Sequence, residues 1–465
     1  MASDSLVWRI RSPGNLDLEL DEIHRSDPGP MVDRAHEAFR LWRVTPLTER
    51  IQCLRRAAAG IEKNKDELAE FISIEVGKPI REARGELAAV LAKFELSFED
   101  AAFHLAARTV QGGPHPAEVR ARPRGAAAVV APFNFPIHLG HGAAIAHLLA
   151  GNTVLFKPSP LAAHVGAKYG AIMSAALPEG VFQVVQGGAE VAIQLCSHPR
   201  VRAVCFTGSS TAGRNLARLL ADDFSKDLAL ELGGKNAALI LSDADIGVAA
   251  RAVVEGMNLT AGQRCNSTSR ALVHESLLND FLDACRSALA EWVPGDPIEE
   301  ETRLGPVVDR KAWERHRWMC GLTEGCKWVI PGSGLEEAGG LRGHYVTPGV
   351  AVMGSREAAA ASPLCCQEIF TPVLAVQGFT EVEEAVSDLN CLPYGLTCSV
   401  FTRSDECFRA VAADVDVANV YMNLPTTFSP STLPFGGWKE SGNGRPGGKG
   451  FIRYTTQEQA LQWRS

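Results

Sequence analysis

The stretch AAAVVAPFNFPIHLGHGAAIAHLLAGNTVLFK, residues 126–157, decides the fold. Ala126 to Val130 is a short apolar run of strand length, Ile137 to Leu149 reads as a helix, and Thr153 to Lys157 is a second strand. Apolar strands joined by a helix of ten to fifteen residues are the mark of a parallel βαβ unit. Downstream the alternation continues through a helix (His164–Ala176), a strand (Phe182–Val185), a helix (Glu190–Ser197) and a strand (Ala203–Thr207). The strand Leu228–Leu232 closes this half, which is expected to be a doubly wound sheet.

A second alternating block runs from Ala237 to Phe401 and includes strands such as Ala271–Val273 and Val373–Val376. Upstream, residues 31–107 read as amphipathic helices. Segments Glu49–Ile61 and Glu86–Leu105 both place apolar residues three and four apart. The Pro-, Gly- and Arg-containing stretch Gly112–Gly125 reads as extended or hairpin structure. The tail is rich in Gly and Pro from Pro434 to Gly450 and ends in Thr455–Trp463. The fold class that follows is α/β: two α/β domains plus a small arm built from two distant pieces.

Length and composition agree. A chain of 465 residues favours two or three domains, and 46% hydrophobic with 22% charged residues suits a large core. The net charge of −8 argues against a broad nucleic-acid surface, though a local basic pocket stays possible. Twelve cysteines are scattered without CxxC pairs, and Cys365 and Cys366 are adjacent, so a reduced, cytoplasmic setting is expected. The start Met1-Ala2-Ser3-Asp4 lacks the basic and apolar regions of a signal peptide. The most apolar stretch, about Gly140 to Phe156, contains His141, His147 and Asn152 and is too short to span a bilayer. A soluble protein with no membrane partner is expected.

Four short motifs carry chemistry. In Leu230-Glu231-Leu232-Gly233-Gly234, a carboxylate ends an apolar strand where a crevice opens, and burial there would raise its pKa toward that of a general base. A turn or N-cap role is the open alternative. Cys265 in Gly262-Gln263-Arg264-Cys265 sits beside an arginine whose charge would favour a thiolate; an inert buried cysteine is the alternative. Asn134, between two aromatics and two prolines after a strand, can donate to an oxyanion or satisfy a turn. Phe206-Thr207-Gly208-Ser209-Ser210-Thr211-Ala212-Gly213 follows a strand and opens a helix, where free amides favour a phosphate, although it is not GxGxxG. Lys157 ends its strand where it can meet a ribose hydroxyl or simply be solvated.

Together, in order and spacing, these pieces resemble the aldehyde dehydrogenase superfamily over nearly the whole chain. The matching segments are PFNFP, LFKPS, FTGSSTAG, LELGGKN, GQRC, QEIFTPV, LPYGL and PFGG. The resemblance implies that Cys265 forms a thiohemiacetal and then a thioester, and that Asn134 and the Cys265 amide hold the oxyanion. Glu231 would activate the hydrolytic water, and no metal would be needed. It also implies NAD or NADP as cofactor, contacted by Lys157, Ser159, Gly208, Ser209, Gly213, Glu368 and Phe370. Residues 1–107 and 125–233 would form the Rossmann-like dinucleotide-binding domain, 234–435 the catalytic domain, and 108–124 with 436–465 an oligomerisation arm making a homodimer or homotetramer.

One departure matters. Many members have a glutamate three residues after the lysine that grips the adenosine ribose; this chain has Pro160. Weakened NAD preference and use of NADP are expected. The tail, with Asn423-Leu424-Pro425 and Asn443-Gly444-Arg445-Pro446, resembles the succinylglutamate-semialdehyde dehydrogenase branch, whereas Pro160 and Asn266-Ser267-Thr268 do not fit it. An acidic semialdehyde would need a cation, for which Arg445 and Arg270 are the candidates, with pairing across a subunit contact as the alternative for Arg445. Competing readings are a CoA-acylating dehydrogenase, disfavoured by Glu231, and a non-catalytic family member acting as a binding or structural protein, disfavoured by the intact Cys265, Glu231 and Asn134. A thioesterase or protease lacks a nearby His with a supporting Asn.

Overall fold

The computed structural model describes residues 7–110 and 114–464. The reading of Met1–Asp4, and residues 111–113 of the expected arm, lie outside these. The helical region opens with α1 (Pro28–Trp42), α2 (Leu47–Lys63), α3 (Lys65–Val76) and α4 (Ile80–His104). Along α4 the buried residues Ala83, Leu87, Val90, Phe94, Phe98 and Ala101 recur at three and four, so one stripe faces the core.

The first sheet follows the expected alternation: β1 (Ala126–Val130), α5 (His138–Ala150), β2 (Thr153–Lys157), α6 (Ala163–Ala176), β3 (Phe182–Val184), α7 (Ala189–Ser197), β4 (Val201–Thr207), α8 (Ser210–Leu220) and β5 (Asp227–Glu231). Strand order is β3-β2-β1-β4-β5, all parallel, and the short strand Gly442–Asn443 adds antiparallel to β5. Alternate residues serve opposite faces, as a pleat requires. Val129, Phe156 and Phe182 join the core under α2–α6, while Ala128, Leu155 and Val204 pack on the other face. Each fully buried side chain of the Val, Leu or Phe kind contributes roughly 1.5–3 kcal/mol.

The second sheet contains β6 (Asn236–Ile240), β7 (Thr268–His274), β8 (Cys326–Ile330), β9 (Gly349–Met353), β10 (Val373–Phe379), β11 (Thr397–Phe401) and β12 (Asn419–Met422). Its order is β8-β9-β10-β7-β6-β11-β12, parallel except for edge strand β8. Helices α9 (Ile246–Asn258) and α10 (Leu278–Leu289) cover one face.

The arm is a three-stranded antiparallel sheet in which Thr456–Gln462 pairs with Ala117–Pro123, and this in turn with Arg108–Val110. The expected arm segment 436–465 is shorter in the structure. Within it, Gly442–Asn443 extends the first sheet, Trp438–Lys439 pairs with Tyr394–Gly395, and Phe451 and Ile452 are buried in the first core. Around Phe451 and Ile452 the sequence lacks the alternation of a strand, and these two apolar side chains sit inside instead. No helix among the described residues is long and apolar enough to cross a membrane.

Candidate active site

Between β1 and β4 the connections leave the first sheet in opposite senses, and a crevice opens beyond the carboxyl ends of the two strands. A cleft of about 770 Å³ lies there, lined by residues that include Asn134, Lys157, Ser209, Glu231, Cys265 and Glu368. Chain segments far apart in sequence converge on it because β5 ends, and β6 begins, at the same edge.

Glu231 is the last residue of β5 and is 2% exposed. Among the described residues its Oε1 has no hydrogen-bond partner. Burial pushes its carboxyl up to about 7, against the opposing pull of the Lys93 ammonium. Gly233 and Gly234 follow because no side chain fits. A Cβ on Gly233 would lie 2.2 Å from a Glu368 oxygen, and one on Gly234 would lie 2.8 Å from the Cys265 carbonyl. The Gly234 amide donates to Glu368 Oε1 at 3.2 Å. Glu368 is likewise pushed up to about 7 by burial.

Cys265 lies in the loop before β7 and is half-buried. The loop is entered through Thr260, Ala261 and Gly262, whose φ angles of 54°, 52° and 71° are all left-handed. Asn134 is buried on the loop after β1, and its Nδ2 donates to the Gln263 carbonyl at 2.7 Å. An amide nitrogen has two hydrogens, so one remains for another acceptor. Beside it, the rings of Phe133 and Phe370 meet edge-to-face at 6.0 Å, Phe370 itself having φ 58°.

The Arg264 charge does lower the Cys265 pKa, as expected, but it is outweighed. The Arg264 guanidinium pairs with Glu82 at 2.6 Å and is turned toward the Phe135 ring. Burial, reinforced by repulsion from Glu231 and Glu368, instead raises the thiol well above its ordinary 9.0. Cys265 therefore rests as a thiol, and a base would have to take its proton before it could act as a nucleophile.

The other predicted residues divide. Lys157 is buried at the end of β2, and burial lowers its pKa to about 8, against the pull of Glu190. Ser209 caps α8, accepting from the Ala212 amide at 3.3 Å, and Gly208 precedes it on the cleft wall. Ser159 and Pro160 line the same wall. Gly213 does not; a Cβ there would lie 2.5 Å from Leu232, so it serves helix–sheet packing. Neither Arg270 nor Arg445 lines this cleft. Arg270 is 3% exposed and donates to Gln377 and to the Asp388 carbonyl at 2.7 and 2.9 Å. Nη2 of Arg445 is within 3.3 Å of the carbonyls of Ala418 and Pro434 and of Asn419 Oδ1.

Three residues escaped the sequence reading. Asn236 bonds the Cys265 and Ser267 carbonyls, and Arg315 from α11 (Arg310–Cys320) reaches the cleft wall near Glu368. Lys93, 6% exposed, lies on the inward stripe of α4, where a lysine among Val90, Phe94 and Ser97 was the available signal.

The chain matches the aldehyde dehydrogenase family over residues 18–461. It belongs to that family. N-succinylglutamate 5-semialdehyde dehydrogenase of Erwinia tasmaniensis is 34% identical over 421 residues, covering 89% of this chain and 83% of that protein. An enzyme of the same description from Caulobacter vibrioides is 35% identical over 422 residues, covering 89% and 86%. Among solved structures, lactaldehyde dehydrogenase superposes with a TM-score of 0.93 at 27% identity, covering 100% of this chain and 97% of that one. The indole-3-acetaldehyde dehydrogenase AldA of P. syringae, in complex with NAD+, gives 0.92 at 27%, covering 99% and 92%. An NADP-dependent enzyme of E. coli gives 0.92 at 26%, covering 99% and 95%. As a member of the aldehyde dehydrogenase family, this chain is an NAD(P)-dependent oxidoreductase acting on aldehydes.

Proposed function

We propose that this aldehyde dehydrogenase oxidises an acidic semialdehyde of the N-succinylglutamate 5-semialdehyde kind, with Cys265, Glu231 and Asn134 as its catalytic residues. The observation that carries the catalytic part is the meeting of these three, from separate segments, on one cleft. The substrate class is supported by the names of the similar enzymes. Arg270 bonds Gln377 and Asp388, whereas Arg445, whose charge acts on Tyr421 as that of Cys265 does, is the candidate cation for a substrate carboxylate.

The cleft suits a dinucleotide. It lies at the strand-order reversal, its wall is largely apolar, and it offers the α8 N-terminus and the buried Lys157 ammonium. Lys157, Ser159, Gly208 and Ser209 would hold the adenosine and phosphate end, and Glu368 and Phe370 the nicotinamide end. When bound, the cofactor supplies the hydride acceptor.

The residues do the rest. Glu231 takes the thiol proton, and Cys265 Sγ bonds to the aldehyde carbon. The resulting oxyanion accepts from the spare Asn134 N–H and the Cys265 backbone N–H. Glu231 gives that proton up to solvent; after oxidation to the thioester it takes a proton from water, the hydroxide attacks the acyl carbon, and Sγ leaves as a thiolate that is then reprotonated. A carboxyl near 7 suits both transfers.

Residues 234–435 are assigned as the catalytic domain, and 125–233 with the N-terminal helices as the dinucleotide-binding domain. The three-stranded arm presents the largely exposed strand Thr456–Gln462, and we assign it to a homodimer or homotetramer in the cytoplasm. An aldehyde panel that includes N-succinylglutamate 5-semialdehyde, read at 340 nm with NAD and with NADP, tests the substrate. Higher kcat/KM for uncharged aldehydes would overturn it, and an acyl-CoA product on adding CoA would overturn hydrolysis by Glu231. Light scattering that finds only monomers would overturn the assembly.

A further inference from the structure

Two carboxylates one turn apart at the start of α4 reach both loops that carry the oxyanion donors. Glu86 is buried; its Oε1 accepts from the amides of Ile137 and His138 at 3.0 Å each, and its Oε2 pairs with Lys78 Nζ at 2.5 Å. Glu82 Oε1 accepts from the Thr260 amide at 3.1 Å, and its Oε2 from the Thr260 hydroxyl at 2.7 Å and from Arg264 at 2.6 Å. The first carboxylate therefore grips the chain just after Asn134, and the second grips it just before Cys265.

Their two cations meet on one ring. Lys78 Nζ lies 3.9 Å, and the Arg264 guanidinium carbon 5.0 Å, from the centroid of Phe135, which is the neighbour of Asn134. Arg264 Nε also donates to the Thr260 hydroxyl at 3.0 Å. Thr260 needs such holding, because a β-branched residue at φ 54° is strained and stays there only where its surroundings enforce it. None of the five side chains lines the cleft.

We propose that Glu82, Glu86, Lys78, Arg264 and Phe135 form one positioning clamp that fixes the Asn134 side chain relative to the Cys265 amide. This rests on the reading of those two groups as the oxyanion donors. The clamp acts through the donors and touches neither substrate nor cofactor. A donor displaced from the developing oxyanion costs rate steeply, by about 10²–10³ for full loss, so a loosened clamp should show a fraction of that.

The test uses full-length Glu82→Gln, Phe135→Leu and the double variant, with any aldehyde the wild type oxidises. Glu82→Gln keeps an acceptor for Thr260 but removes the charge that holds Arg264. Phe135→Leu keeps the apolar bulk and removes the shared ring, and it carries the test alone if Glu82→Gln fails to fold. The expected result is a pre-steady-state NAD(P)H burst slowed by about 10–100-fold, a partial loss of the donors. The cofactor KM and the rate of Cys265 alkylation by iodoacetamide should stay within about twofold, and the double variant should be no slower than the worse single one, as parts of one unit are non-additive. A burst of wild-type rate per folded site would overturn the clamp. So would alkylation slowing in step with the burst, because the thiol rather than the donors would then have moved. Asn134→Ala oxidising the aldehyde at the wild-type rate would instead overturn the donor reading itself.

Discussion

The Asn236 side-chain amide donates to the Cys265 carbonyl at 2.7 Å and to the Ser267 carbonyl at 3.0 Å, while its oxygen accepts from the Thr397 amide at 3.2 Å. The first residue of β6 thus ties the nucleophile loop to the next strand of the sheet. Asn236→Ala leaves buried groups unpaired at about 1–3 kcal/mol each. A melting temperature several degrees below wild type is expected by calorimetry, with kcat lowered because the loop carrying Cys265 loses its anchor. An unchanged Tm would show the bonds to be dispensable.

Loss of the oxyanion donor should leave nucleophilicity intact. Asn134→Ala is expected to lower kcat by about 10²–10³. Iodoacetamide should still alkylate Cys265 at near the wild-type rate. Cys265→Ala should abolish turnover while retaining cofactor binding, as followed by nucleotide fluorescence titration.

Glu231 dictates a pH profile. Only its carboxylate form accepts a proton, so kcat should rise with pH through about 7 and then level. Glu231→Gln should lower kcat by about 10²–10⁴ and abolish that rise. Stability runs the other way. With a folded value of about 7 against an ordinary 4.5, the folded protein holds a proton that the unfolded chain releases between those values. This group's contribution is complete below about 4.5 and is lost as pH rises to 7, so the Gln variant should gain Tm over wild type more at pH 8 than at pH 5. Thermal melts at both values check it.

Pro160 lines the cleft, and on the proposed cofactor pose a carboxylate in its place would repel a 2′-phosphate. Wild-type enzyme is expected to use NADP, and Pro160→Glu to lower kcat/KM for NADP relative to NAD by about tenfold, or roughly 1.4 kcal/mol. Steady-state rates with both cofactors decide it. A strong wild-type NAD preference would end the argument.

The first sheet was legible because its strands are buried on both faces and its helices have ordinary length, so composition alone marks Ala126–Val130 and Thr153–Lys157. Motif residues that end strands, such as Glu231 and Lys157, were legible for the same reason. What escaped was side-chain direction. Arg264 adjoins Cys265 in sequence, yet its guanidinium belongs to Glu82, and the sequence separation of 182 residues hides that pairing. Arg270 looked available because a strand position does not reveal which partners lie across the neighbouring strand. The stretch after Pro434 has too little periodicity to show that Phe451 and Ile452 turn into the core.

A sulfur kept protonated by burial and by two adjacent carboxylates is a poor target for peroxide and a slow partner in disulfide exchange, because both reactions require the thiolate. Cys265 is half-buried, and burial is the larger part of this shield, with the two carboxylates adding to it. On the proposed mechanism, the same protonation that would slow oxidation of the resting sulfur is what makes Glu231 necessary for each turnover.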